Sequence, residues 1–138
     1  MTDIAKYPAK VLVAFGEAIS RNVAIHEWLF KNGYAELGAT ASALQADVEA
    51  FNWLMKHGFP QYAAFCNAID DDQKAYEWLK KNKYDVLIRI VDAAYEKPEA
   101  IMWFNKRKLQ IFIMIASKIR ELKQQQHNDY SDYHKIHF

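Results

Sequence analysis

Apolar residues along the chain keep a three-and-four rhythm, broken at even intervals by short polar turns. Residues 75, 78 and 79, then 84, 87, 88 and 91, trace one buried helical face followed by another. Trp28, Trp53, Trp78 and Trp103 follow one another every 25 residues with no gap in register. Behind each comes an apolar residue: Leu29, Leu54, Leu79 or Phe104. Three before it stands Ile25, Ala50, Ala75 or Ala100, and six after it Tyr34, Phe59, Tyr84 or Leu109. Leu37, Tyr62, Leu87 and Phe112 hold a further common slot, which Leu12 occupies one copy earlier. Self-similarity at a short fixed period marks a stacked-repeat architecture.

Helix boundaries follow the same period. Asn22, Asp47 and Asp72 share one slot and suit an N-cap, while the fourth copy has Lys97 there, followed by Pro98. Gly33 and Gly58 fall where a left-handed C-terminal residue is wanted; Lys83 and Lys108 take that slot later and predict tighter or strained turns. The pattern predicts nine helices, over 8–20, 23–32, 34–45, 48–57, 59–69, 73–82, 84–95, 98–107 and 109–125. The fold class is all-α: a right-handed α-solenoid on a 25-residue helix-pair repeat. Residues 1–126 form one repeat domain, and 127–138 a polar-aromatic tail. Each tryptophan is expected to be buried between successive helix pairs, and the layers to extend over roughly 40–45 Å.

The stretch "AFNWLMKHGFPQYAAFCNAI" (50–69) combines a helix, a Gly-aromatic turn and a second helix. It resembles the helix-turn-helix core of ankyrin repeats with the connecting hairpin removed. The Thr-Pro-Leu-His signature is missing from every copy, and the period leaves no room for a hairpin. The resemblance covers roughly residues 22–120 and implies a module that binds other proteins.

Composition narrows the class. A chain of 138 residues, 51% hydrophobic and 25% charged, can bury a core as one domain. Four glycines and three prolines disfavour a turn-rich β fold. A single cysteine, Cys66, excludes an internal disulfide and suits a reducing compartment. The chain shows no cleavable leader and no run of about 18 apolar residues, so a cytoplasmic protein without a membrane span is expected. The net charge of +1 argues against a general polyanion binder. Residues 1–72 carry five basic against nine acidic residues and 73–138 thirteen against eight, so the two halves differ in sign.

Lys31, Lys56, Lys81 and Lys106 form a ladder at one repeat position, in phase with Lys6. One reading makes it a basic rail for phosphates, reinforced by Lys80, Lys83, Arg107 and Lys108. The other places each lysine in a helix's last turn, where a cation offsets the macrodipole, with Glu27 and Glu77 four residues before two of them. The second is favoured, because nucleic-acid affinity needs many uncompensated cations. Core packing of the tryptophans is likewise favoured over a base-stacking platform. In the tail, His127, His134 and His137 with Asp129 and Asp132 lack a metal-ligand spacing. Cys66 lies on an apolar face and reads as a small core residue; Asp70–Asp72 sit at a helix start, where acids stabilise free amides. No catalytic, cofactor or metal residues are named on this pattern. The expected function is a non-catalytic protein-interaction scaffold of unknown partner; the alternative is a nucleic-acid-binding repeat using the lysine ladder. Finally, the unbroken run Ile111–Ile115 makes the last helix apolar all round. It predicts that the tail, through Tyr130, Tyr133, Ile136 and Phe138, folds back on this helix, or that 109–125 forms a homodimer contact.

Overall fold

Helix starts and stops are set by local chemistry that recurs at the repeat period. The Asn22 side chain accepts from the Ile25 amide (3.2 Å), Asp47 from Ala50 (3.2 Å), and Asp72 from Lys74 and Ala75 (3.0 and 3.2 Å). Lys97 gives no side-chain cap, and Pro98 takes the first helical position. The resulting elements are a 3-10 turn (Ile4–Lys6), α1 (Ala9–Ile19), α2 (Val23–Lys31), α3 (Ala35–Leu44), α4 (Val48–Lys56), α5 (Pro60–Ile69), α6 (Gln73–Lys81), α7 (Asp85–Ala94), α8 (Pro98–Lys106) and α9 (Gln110–His137). The structure, a computed structural model, describes the backbone of residues 4–137 and the side chains of residues 4–130; among these there is no strand. The fold is all-α.

Every connection closes in the same way. Tyr34, Phe59, Tyr84 and Leu109 donate their amides to Leu29, Leu54, Leu79 and Phe104 across one set of turns. Asn22, Asp47, Asp72 and Lys97 donate to Glu17, Ser42, Asn67 and Asp92 across the other. This is the six-to-one bond of the Schellman motif, which needs a left-handed residue just before the donor. Gly33 and Gly58 supply it with φ 88° and 86°. Lys83 and Lys108 supply it too, at 62° and 57°, so their turns are not tighter than those of the glycines. They keep the same closure at a steric cost of roughly 1–2 kcal/mol each. Arg21, Ala46, Asp71 and Glu96 do so in the other set, where no glycine occurs.

Three-residue turns make consecutive helices antiparallel, so the odd-numbered helices all run one way. These form an inner row, with α1 on α3, α3 on α5, α5 on α7 and α7 on α9. Each of α2, α4, α6 and α8 packs outside it, against the two inner helices that flank it in sequence. The last helix, α9, also packs on α1. Its Met114 and Lys118 side chains lie 3.1 Å from where a Cβ on Gly16 would be, and Lys118 Nζ donates to Ser20 Oγ (3.2 Å).

That contact changes the account of the apolar run. Phe112, Ile115, Ala116, Ile119 and Leu122 are buried, because α1 covers the side of α9 that α7 and α8 leave open. The tail does not fold back: the backbone of 127–137 continues α9. Tyr130 is 64% exposed, and the other tail side chains invoked above lie outside the described residues. Within the run itself Phe112 and Ile115 are covered from within the chain, while Ile111, Ile113 and Met114 stay half-buried.

The tryptophans are not the core. Trp28, Trp53 and Trp103 are half-buried and Trp78 is 37% exposed, whereas Leu29, Leu54, Leu79 and Phe104 are fully buried. One residue is about 100° of helix, and the inward direction belongs to the residue after each tryptophan. Leu12, Leu37, Tyr62, Leu87 and Phe112 fill the inner row.

Leu79→Ala should therefore destabilise by about 2–5 kcal/mol and by more than Trp78→Ala, measured by urea denaturation. The turns make a second prediction. Lys83→Gly should raise stability by up to about 1 kcal/mol, because relief of the left-handed strain exceeds the extra chain entropy. Gly33→Ala should lower it by about 1 kcal/mol although nothing lies within 4 Å of the new methyl group, since only the backbone objects.

Candidate functional site

The two sets of turns define two rims of opposite character. The turns 32–34, 57–59, 82–84 and 107–109 lie at the first, where the outer helices end and the inner helices begin. Lys31, Lys56, Lys81 and Lys106 all stand there, each in the last turn of its helix and each exposed. Among the described residues the ion pairs are Lys97–Asp92, Arg120–Glu96 and Lys123–Asp70, so no ladder lysine is paired. The spacing of Glu27 with Lys31 and Glu77 with Lys81 does not become contact. Lys83, Arg107 and Lys108 occupy the same turns. The starts of α3, α5 and α7 face this rim with no side-chain cap, which adds the positive ends of their dipoles. Glu36 and Asp85 offset that in the first turns of α3 and α7; α5 has no acid there.

Aromatic rings line the rim beside the lysines. Trp28 stacks on Tyr34 (centroids 6.0 Å), Trp53 on Phe59 (6.0 Å) and Trp78 on Tyr84 (5.9 Å), all within 16° of parallel. His57 stacks on Trp53 at 4.3 Å. Where Leu109 replaces the aromatic residue, Arg107 lies over Trp103 at 4.0 Å and Arg89 at 5.3 Å; Lys10 lies over Trp28 at 5.6 Å. The six-residue aromatic spacing was visible in the sequence but was assigned to the core. Arg89 was missed, although it breaks a slot held by Ala14, Ala39 and Ala64. The 3-10 turn crosses this end of the molecule, with Ile4 buried against α7 and the Tyr7 ring edge-on to Tyr34. Burial pushes the Tyr7 hydroxyl up to about 12.

The opposite rim is built to satisfy backbone carbonyls. Lys123 Nζ donates to Leu44 O (2.8 Å) and pairs with Asp70 (3.0 Å), while Gln126 donates to the same carbonyl (3.1 Å). Arg120 pairs with Glu96 (3.3 Å). These side chains of α9 place cations at the C-terminal ends of other inner helices, where the dipole favours them. The three acids 70–72 separate in role: Asp70 pairs with Lys123, Asp71 adopts the left-handed turn, and Asp72 caps α6. A cleft of about 360 Å³ on this side is lined by Tyr76, Asp92, Tyr95 and Lys97. Tyr76 Oη donates to both Asp92 oxygens (3.0 and 3.2 Å), and burial with the Asp92 charge raises its pKa. The contact joins α6 to α7, as the His26 ring and Ser42 hydroxyl (3.0 Å) join α2 to α3. It occupies the carboxylate with a structural bond.

Cys66 is buried, and its thiol donates to Thr40 O at 3.8 Å. Among the described residues no three His, Cys, Asp or Glu side chains come together to hold a metal. Of the tail set, Asp132, His134 and His137 have side chains outside those residues. No helix there is long and apolar enough to cross a membrane. No protein-family model, curated protein or solved structure matches the chain at a significant level.

Burial pushes the Cys66 thiol from 9.0 up to about 12. The folded state therefore holds this proton after the unfolded chain has lost it. The contribution to stability is complete below pH 9 and is lost as pH rises towards 12. Cys66→Ala should flatten part of the alkaline decline in thermal stability. In the parent protein, a thiol reagent at pH 8 should react only as fast as the chain opens.

Proposed function

We propose that this chain is a non-catalytic, cytoplasmic protein-interaction scaffold. It is a right-handed α-solenoid of 25-residue helix pairs, ankyrin-like without the hairpin, wound tightly enough for its last inner helix to meet its first. The observation that carries the reading is the first rim, which sets exposed, unpaired lysines beside half-buried tryptophans at one repeated position. Aromatic side chains that keep part of their surface in water are typical anchors of protein interfaces, and the cations around them select an acidic partner. The proposed binding residues are Lys31, Lys56, Lys81 and Lys106, with Trp53 and Trp78 between them.

The alternative, a nucleic-acid-binding repeat, draws on the same lysines. Base stacking is less well supported, because Trp28, Trp53, Trp78 and Trp103 each already carry a ring or cation of this chain on the indole. Affinity capture from the native partner pool, with and without nuclease, separates the two readings. A partner retained after nuclease and lost when all four ladder lysines become glutamate is the expected result. Capture abolished by nuclease, together with a low-salt mobility shift lost in the same variant, would favour nucleic acid. Capture unchanged by the four reversals would remove the rim from both.

A further inference from the structure

Each later copy of the repeat shows what belongs against its inner helix. Phe30 of α2 lies so close to α3 that a Cβ on Gly38 would sit 2.7 Å from its ring, and His26 meets Ser42 four residues further along. On α7 the same two positions are Ile88 and Asp92, covered by α6, whose Tyr76 hydroxyl reaches the Asp92 carboxylate. The corresponding residues of α1 are Val13 and Glu17. No outer helix of the described chain precedes α1, and the 3-10 turn packs on α7 instead. Val13 is consequently 46% exposed, against 1% for Ala63 and 8% for Ile88 at its slot. Glu17 makes no ion pair and no side-chain hydrogen bond among the described residues. Between α1 and α2 a groove of about 440 Å³ stays open, floored by Val13, Ala14, Ile25 and Trp28, with Lys10 and Glu17 at its edges.

We propose that this groove docks an amphipathic helix from a partner protein, one that places a tyrosine hydroxyl opposite Glu17 and packs on Val13. The chemistry is read from α6, because an aliphatic β-branched residue followed four positions later by an acid occurs only on α1 and α7 among the inner helices. A second folded copy is a poor occupant. The matching edges of its own outer helices are already spent, with His26 on Ser42 and Tyr76 on Asp92. The inference rests on the reading of this chain as a protein-binding repeat; the groove shares Trp28 and Lys10 with the rim but none of the four ladder lysines.

The probe is a stapled peptide of residues 72–83 with Trp78→Phe, titrated into the full-length protein and followed by amide chemical shifts. Saturable shifts confined to residues 10–28 are expected. Val13→Glu and Glu17→Lys in the protein should each weaken binding by roughly tenfold or more, and Tyr76→Phe in the peptide several-fold. Both protein substitutions are at positions not fully buried, and an unchanged thermal melt will show that the fold is retained. Reversal of the four ladder lysines should leave peptide binding intact, so a failed groove and a failed rim are distinguishable. Absence of saturable shifts at about 1 mM peptide, or binding indifferent to both protein variants, would overturn the proposal. Shifts centred on α6 and α7 would mean exchange with the native helix and would overturn it as well. Concentration-dependent self-association lost in Val13→Glu would assign the groove to a second copy instead.

Discussion

The packing of α9 against α1 is the contact on which the rest of the arrangement depends. A row of helix pairs built only from neighbour-to-neighbour contacts leaves an apolar face bare at each end. Here the two ends of the inner row cover one another, so the side of α9 that would face water meets α1. The same contact carries Lys118, Arg120 and Lys123 over the far rim, where they reach Ser20, Glu96, Asp70 and the Leu44 carbonyl. Cations concentrated at that rim satisfy carbonyls and carboxylates of the fold. At the opposite rim Arg107 reaches the Trp103 ring and carbonyl, but the four ladder lysines make no ion pair within the described chain, and this difference separates a structural edge from a candidate binding edge.

What was legible in the sequence was what local chemistry decides. Helix boundaries, N-caps and the turn slot are written in single residues such as Asp72 and Gly58, and the first eight helices lie within a residue or so of the pattern; the end of α9, expected at 125, lies at His137. The errors came from direction and from contact distant in sequence. Trp78 and Leu79 are adjacent and both apolar, and periodicity alone does not say which of them points inward. Size favoured the tryptophan, but its six-residue spacing to Tyr84 fits a stack across the turn better than a place in the core. Closure was illegible for another reason. It rests on contact between α1 and α9, which lie far apart in sequence, and no local pattern records that contact.

The candidate site was legible in the same uneven way. The lysine ladder could be read directly, since a repeated residue at the end of an outer helix must share a rim with its copies. The pairing of Lys31 with Glu27 was a fair expectation from spacing but does not form within the described structure. The groove beside α1 could not be seen until the later copies showed what fills its equivalents. Val13 looks like any core residue in the sequence, yet it is exposed, with no outer helix before α1 among the described residues to cover it.

Closure also restricts how such a chain can change over time. An open array of identical units tolerates gain or loss of a unit, because every unit sees only its neighbours. In this molecule the first and last inner helices are neighbours too, so copy number and curvature are coupled. Adding or removing a pair such as α4–α5 would alter the chain between α1 and α9, whose contact helps to cover Ile115 and Ile119. Departures from the consensus, such as Arg89 in an alanine slot or Lys83 in a glycine slot, are how one copy becomes different from the next.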